Sequence, residues 1–167
     1  LWLCYNGLMI EQNLPANLER IFQNGSSLED RVDRWFSKLN ILVERELSVK
    51  QDIPPISGRI DFIINHATYN HMPVELKSIN TNGFSKLRSP KPEHAVQIQM
   101  YLNMGGYDIG TVLYENKNDQ KIKSFLVERD PKAWDEILAR CFNVQEMIAR
   151  PDECTGATWC ACRKVED

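Results

Sequence analysis

Two stretches decide the fold: Ile56-Ser57-Gly58-Arg59-Ile60-Asp61-Phe62-Ile63-Ile64 and Pro73-Val74-Glu75-Leu76-Lys77-Ser78-Ile79, separated by the polar segment 65–71. Both are short, rich in branched apolar residues and alternate in polarity, which predicts two strands joined as a hairpin. A period of two puts Ile60, Phe62 and Ile64 on one face and Asp61 on the other, and sets Glu75 and Lys77 opposite Val74 and Leu76. Once the strands pair, Asp61, Glu75 and Lys77 converge. Two carboxylates hold a divalent cation against a phosphate oxygen, and an ammonium orients an attacking water or steadies developing charge.

The pattern acidic-x-Lys is not specific by itself, since it recurs at Glu115/Lys117, Asp119/Lys121 and Asp130/Lys132. Position separates them. Glu115 to Lys121 falls where an exposed turn is expected and Asp130 where a helix cap is expected, whereas Glu75 follows a strand carrying an acid on the matching face. The competing reading of Asp61, Glu75 and Lys77 is a charge cluster on a sheet edge, worth about 0–1 kcal/mol.

Working outward, Pro15 opens a helix that Asn24-Gly25 is expected to stop, and Ser26 is expected to cap a second helix whose apolar stripe is Leu28, Val32, Trp35, Phe36 and Leu39. A strand is expected over 41–50, its alternation interrupted at Arg45, and Pro54-Pro55 ends it. Residues 81–91 read as a loop with a basic cluster, after which Pro92 opens a helix that Gly105-Gly106 closes. Strands over 109–115 and 121–127 precede a last helix begun by Asp130-Pro131, with Trp134, Ile137, Leu138, Cys141, Val144 and Ile148 inward. On the helix from Pro92, Gln97 and Tyr101 share a face with His94 one turn earlier, an amide and a phenol suited to phosphate and metal-bound water. A polar helix edge is the plainer reading.

Composition bounds the rest. With 167 residues, 43% hydrophobic and 26% charged, the chain reads as a single domain over 1–167: N-terminal helices to 40, a sheet core over 41–127 containing the helix 92–104, a C-terminal helix over 128–150 and a tail over 151–167. No apolar run approaches the roughly 18 residues of a membrane span, so no membrane partner is expected. A formal charge of -3 argues against nucleic-acid binding by bulk positive charge, leaving local, metal-assisted contact. The chain begins at Leu1 rather than Met, as expected of a processed or truncated product. Five cysteines include three after Arg150, and this odd, crowded count without a signal peptide points to a metal or cluster site rather than a secreted disulfide framework. A reducing, cytoplasmic setting is therefore expected.

Gly58-Arg-Ile-Asp61, Val74-Glu75-Leu-Lys77 and Gln97-Ile-Gln-Met-Tyr101, in that order and in a strand–strand–helix setting, resemble the central motifs of the PD-(D/E)XK nuclease superfamily, in particular its RecB-like branch. That branch includes AddB-type and CRISPR-associated exonucleases and phage relatives, which implies a bacterial or phage-infected host cell. The resemblance implies an α/β restriction-endonuclease-like core, a mixed sheet of about five strands flanked by helices, with a cysteine-rich C-terminal tail. It implies a metal-dependent DNA nuclease, an exonuclease on ends or single strands, using Mg²⁺ or Mn²⁺. A non-cleaving nucleic-acid-binding or assembly module on the same fold is the alternative. Asp61, Glu75, Lys77, Gln97 and Tyr101 become the catalytic set, and the Leu76 carbonyl joins Asp61 and Glu75 as a metal ligand.

The branch also implies an upstream ligand, usually His in Gly-x-x-x-His. Here Gly25-Ser-Ser-Leu-Glu29 offers Glu29, which a capping box Ser26-x-x-Glu29 would otherwise occupy. Lys86, Arg88 and Lys91 are expected along the DNA backbone. Cys4 with Cys154, Cys160 and Cys162 resembles the family's iron-sulfur clasp, although Cys-x5-Cys-x-Cys departs from its usual spacing; [4Fe–4S] is expected, with Zn²⁺ the rival and Cys141 left to its helix core. The partners implied are DNA and either further copies of the chain or recombination, CRISPR or phage-replication proteins. Exonuclease against endonuclease and DNA against RNA stay open.

Overall fold

A computed structural model describes residues 16–146. They run α1 (Ala16–Lys38), β1 (Leu42–Gln51), β2 (Ile56–His66), β3 (Asn70–Ile79), α2 (Thr81–Lys86), α3 (Pro92–Gly105), β4 (Ile109–Asn116), β5 (Ile122–Glu128) and α4 (Pro131–Glu146). The strands lie in chain order in one sheet, antiparallel except for the parallel pair β3/β4. A parallel pair needs a crossover, which α2 and α3 supply. The expected α/β class, a mixed five-stranded sheet flanked by helices, is therefore the fold. Cys4, Cys154, Cys160 and Cys162 lie outside the described residues.

The sheet is covered on both faces. Leu28 and Val32 of α1, with Trp35 and Phe36, pack on Phe62, Ile64, Met72, Val74, Leu76 and Ile109. Phe36 meets the Phe62 ring edge-on, the centroids 5.5 Å apart. On the other face Ile98, Tyr101 and Leu102 of α3 cover Ile60, Ile63, Ile79, Val112 and Tyr114. Helix α3 ends at Gly106 in the left-handed conformation (φ 71°), whose N–H returns to the Leu102 carbonyl. Helix α4 packs outside α3, with Ile137 buried and Trp134, Leu138, Cys141 and Val144 half-buried as expected.

Three local expectations are corrected. Asn24-Gly25 does not stop a helix, because α1 is continuous through it. An interior Gly costs about 1 kcal/mol, whereas burying Leu28 and Val32 gains about 2 kcal/mol each. Ser26 is thus inside a helix and cannot serve as its cap, which removes the capping-box role of Glu29. Residues 81–86 are helical rather than loop, because the Asn80 side chain caps them by accepting the Gly83 N–H at 2.9 Å. Lys123 Nζ finishes that short helix by donating to the Phe84 and Leu87 carbonyls at 2.6 and 3.2 Å. Glu115 is not in an exposed turn. It is buried on β4, and Arg31 Nη2 of α1 donates to both its oxygens, at 2.5 and 2.7 Å.

Strict alternation along β2 also fails. Ile60 faces α3 while Phe62 and Ile64 face α1. The change of face occurs at Asp61, opposite Glu46 of β1, between the pairs Arg45↔Phe62 and Leu47↔Ile60. Glu46 has φ 57°, a left-handed residue that turns the strand at that level.

Candidate active site

The pairing of β2 with β3 runs from His66↔Asn70 to Phe62↔Val74 and stops there. Asp61 and Glu75 are the first residues past the last pair, at the mouth of a fork between the strands. Asp61 Oδ2 fills the fork by accepting the Leu76 N–H at 2.7 Å. N–H and C=O of one strand residue point the same way, so the Leu76 carbonyl faces the same gap.

Glu75 is 1% exposed, and one of its oxygens is paired with Lys77 Nζ while the other, Oε2, is buried with no hydrogen-bond partner. Burial, with the Asp61 charge next, pushes its carboxyl up to about 7. Asp61 is also raised, by burial first and by the charge of Glu29, against the opposing Leu76 N–H and Lys77. Glu29 on α1 therefore lies near enough for its charge to act on both. Asp61, Glu75 and Lys77 thus meet at the fork, with the charge of Glu29 acting on both carboxyls from α1.

Gln97 Nε2 donates to Tyr101 Oη at 2.8 Å. Tyr101 is 4% exposed, and a Cβ on Gly58 would stand 2.6 Å from its Cε1. The glycine of Gly58-Arg-Ile-Asp61 is therefore needed for α3 to lay this ring on β2. Burial raises the Tyr101 phenol, with Glu75 and Asp61 adding to it against the Gln97 bond, so the ring stays neutral and buttresses Gln97.

The basic cluster sits on the segment leading from β3 into α3. Lys86 and Arg88 are exposed, and Arg88 Nη1 donates to the Ser85 carbonyl at 2.9 Å. Lys91, at the start of α3, gives its backbone N–H to Tyr114 Oη at 3.0 Å, and its Nζ is 3.9 Å from Glu93.

Two sets of contacts escaped the sequence reading. His94 Nδ1 lies 2.7 Å from Tyr114 Oη, and its pKa is lowered by burial and by the charge of Lys77. Arg45 of β1 meets three acids of α1: Nη1 is 2.9 Å from Asp30 and 3.2 Å from Asp33, and Nη2 is 3.6 Å from Glu29. The signal for Arg45 was there, as the interruption in the alternation of β1.

The carboxylates suit a hard divalent cation: oxygen donors only, with a buried oxygen of Glu75 unpartnered. As they stand, no three His, Cys, Asp or Glu side chains among the described residues are placed to hold an ion. Glu29 is engaged with Arg45. Among the described residues no helix is long and apolar enough to cross a membrane.

No protein-family model matches the chain, and no curated protein matches it significantly. Solved structures do. SSO0001 matches with TM-score 0.59 at 17% identity, over 83% of this chain and 69% of that one. The alkaline exonuclease LHK-Exo from Laribacter hongkongensis matches with TM-score 0.59 at 21% identity, over 80% and 69%. LHK-Exo in complex with dAMP matches with TM-score 0.59 at 19% identity, over 74% of this chain and 65% of that one. The chain has the fold of these structures.

Proposed function

We propose that the chain is a divalent-metal-dependent deoxyribonuclease of the PD-(D/E)XK superfamily, an exonuclease acting on DNA ends or single strands. The observation that carries this is the fork: Asp61 and Glu75 side by side where β2 and β3 part, with Lys77 on Glu75. The fold shared with an alkaline exonuclease, one of whose structures holds dAMP, supports DNA as the substrate.

Asp61, the free oxygen of Glu75, the Leu76 carbonyl and Glu29 would hold Mg²⁺ or Mn²⁺, which supplies polarisation of the phosphate and a lowered pKa for the attacking water. Lys77, held by Glu75, directs a proton donor at the water or the developing charge. Gln97, fixed by Tyr101, offers an amide to phosphate or solvent. Lys86, Arg88 and Lys91 would meet the DNA backbone. The RecB-like affinity, a [4Fe–4S] cluster on Cys4, Cys154, Cys160 and Cys162 and a cytoplasmic setting belong to the same proposal and rest on sequence alone.

Digestion of end-labelled linear and circular single-stranded DNA with Mg²⁺ or Mn²⁺ tests it. The linear strand is expected to be degraded from an end and the circle spared. Cutting of both makes it an endonuclease; binding of both without cutting makes it a non-cleaving module.

A further inference from the structure

The charge of Glu29 acts on Asp61 and Glu75, yet Glu29 is not free for a cation. Its Oε2 is 3.6 Å from Arg45 Nη2. Arg45 is itself tied down, because Nη1 bonds Asp30 and Asp33, and Ser37 Oγ in turn donates to Asp33 at 3.1 Å. The planar guanidinium presents one edge to the two aspartates and its other nitrogen to Glu29, a division of contacts that a point-charge ammonium cannot copy. Arg45 also sits beside the turn at Glu46, opposite Phe62, the neighbour of Asp61. The kink that aims Asp61 into the fork thus aims Arg45 across to α1.

We propose that Arg45 is a positioning residue that stands in for the metal in the cation-free site: it holds Glu29 beside Asp61 and Glu75, and releases Glu29 Oε2 when a divalent cation binds. This rests on the metal-site reading above. Without a cation, the charges of Glu29, Asp61 and Glu75 oppose one another, and Arg45 offsets that repulsion at Glu29. Its charge also opposes a cation arriving a few ångströms away, so cation affinity is set lower than the carboxylates alone would give. Removing it leaves Asp30 and Asp33 uncompensated and the site more anionic.

The test is calorimetric titration of DNA-free protein with Mn²⁺. Wild type is expected to bind and Asp61→Asn to lose binding. Arg45→Met is expected to bind about three- to tenfold more tightly, with the difference shrinking as salt is raised, and Arg45→Lys to fall between. No binding by wild type would sink the metal-site reading and this inference with it. Binding by wild type with equal or weaker binding by Arg45→Met overturns this inference alone, leaving Arg45 a structural tie. Because Arg45→Met could fail to fold, a second measurement uses the unaltered protein: the Arg45 Nε–H resonance is expected to move during Mg²⁺ titration, with the midpoint of binding. A resonance that stays put while Mg²⁺ binds overturns the proposal.

Discussion

Asp61 Oδ2 accepts the Leu76 N–H at 2.7 Å, across a gap where β2 and β3 no longer pair. The carboxylate thereby does two jobs, closing the fork and offering charge to the site, and substitutions separate them. Asp61→Asn keeps an oxygen for the N–H, so the fold is expected to survive while cleavage drops about 100-fold or more. Asp61→Ala leaves the N–H without its partner and is expected to cost a further 1–2 kcal/mol or so in denaturant unfolding. Lys77→Ala is expected to match Asp61→Asn, with lost cleavage and an unchanged fold. Near-wild-type cleavage by either Asp61→Asn or Lys77→Ala would show that the site lies elsewhere.

Gly58→Ala tests whether Tyr101 is a buttress. The added methyl group would stand 2.6 Å from the ring, so the ring and the Gln97 it carries must shift. A loss of about 1–3 kcal/mol is expected, with cleavage reduced more than Tyr101→Phe reduces it. Pairing Gly58→Ala with Tyr101→Leu makes room for the methyl and is expected to recover stability but not activity. If the single variant unfolds at the same denaturant concentration as wild type, the contact carries no such load.

The strands and their hairpin were legible because they follow from a period of two and a turn, both local properties, whereas Asp61 reaches the fork through a break in that period. What was not legible depends on partners distant in sequence. Gly25 reads as a stop until the sheet rewards Leu28 and Val32. Glu115 reads as turn charge until Arg31, 84 residues earlier, closes on it. The exchange of faces at Asp61 is set by Glu46 on another strand and by the end of pairing with β3. Asn80, by contrast, is a local cap that the residue type itself signals.

The Arg31–Glu115 pair ties α1, the helix that carries Glu29, to β4. Glu115 is 4% exposed, and Arg31 stacks on Trp35 with its guanidinium 5.8 Å from the ring centroid. Removing one partner of a buried pair strands the other, at about 3–5 kcal/mol. Since the Arg31 side chain is 29% exposed, solvent softens this, and Arg31→Met is expected to cost about 1–3 kcal/mol. The joint variant Arg31→Met with Glu115→Leu is expected to cost less than Arg31→Met alone. A double-mutant cycle by urea unfolding measures the coupling, and a value near zero would remove the tie.

Cys4, Cys154, Cys160 and Cys162 are expected to bring iron and acid-labile sulfide with anaerobically purified protein, and a broad visible absorption that bleaches on chelation together with a fall in Tm. Zinc without visible absorption would assign the same thiolates to a tetrahedral site instead. Cys141→Ser is expected to leave the metal content unchanged.

The pH dependence follows from Glu75. Its carboxyl sits at about 7, above the ordinary value of 4.5, because burial and the Asp61 charge disfavour the anion. A folded-state pKa raised in this way means that the protonated group favours the fold. That contribution is complete below about pH 4.5 and is lost as pH rises through about 7, so metal-free protein is expected to lose stability over this window. Asp61, raised for the same first reason, adds in the same direction. A divalent cation reverses the slope, since it binds the anion and compensates the buried charge. With saturating Mg²⁺, Tm is therefore expected to hold or rise between about pH 6 and about pH 8, while Mn²⁺ affinity climbs with the release of about one proton and cleavage rises along the same limb. Thermal melts across pH with and without Mg²⁺ read both slopes. Parallel curves would mean that Glu75 is not the group that meets the cation, and Glu75→Gln, already neutral, is expected to flatten the metal-free slope.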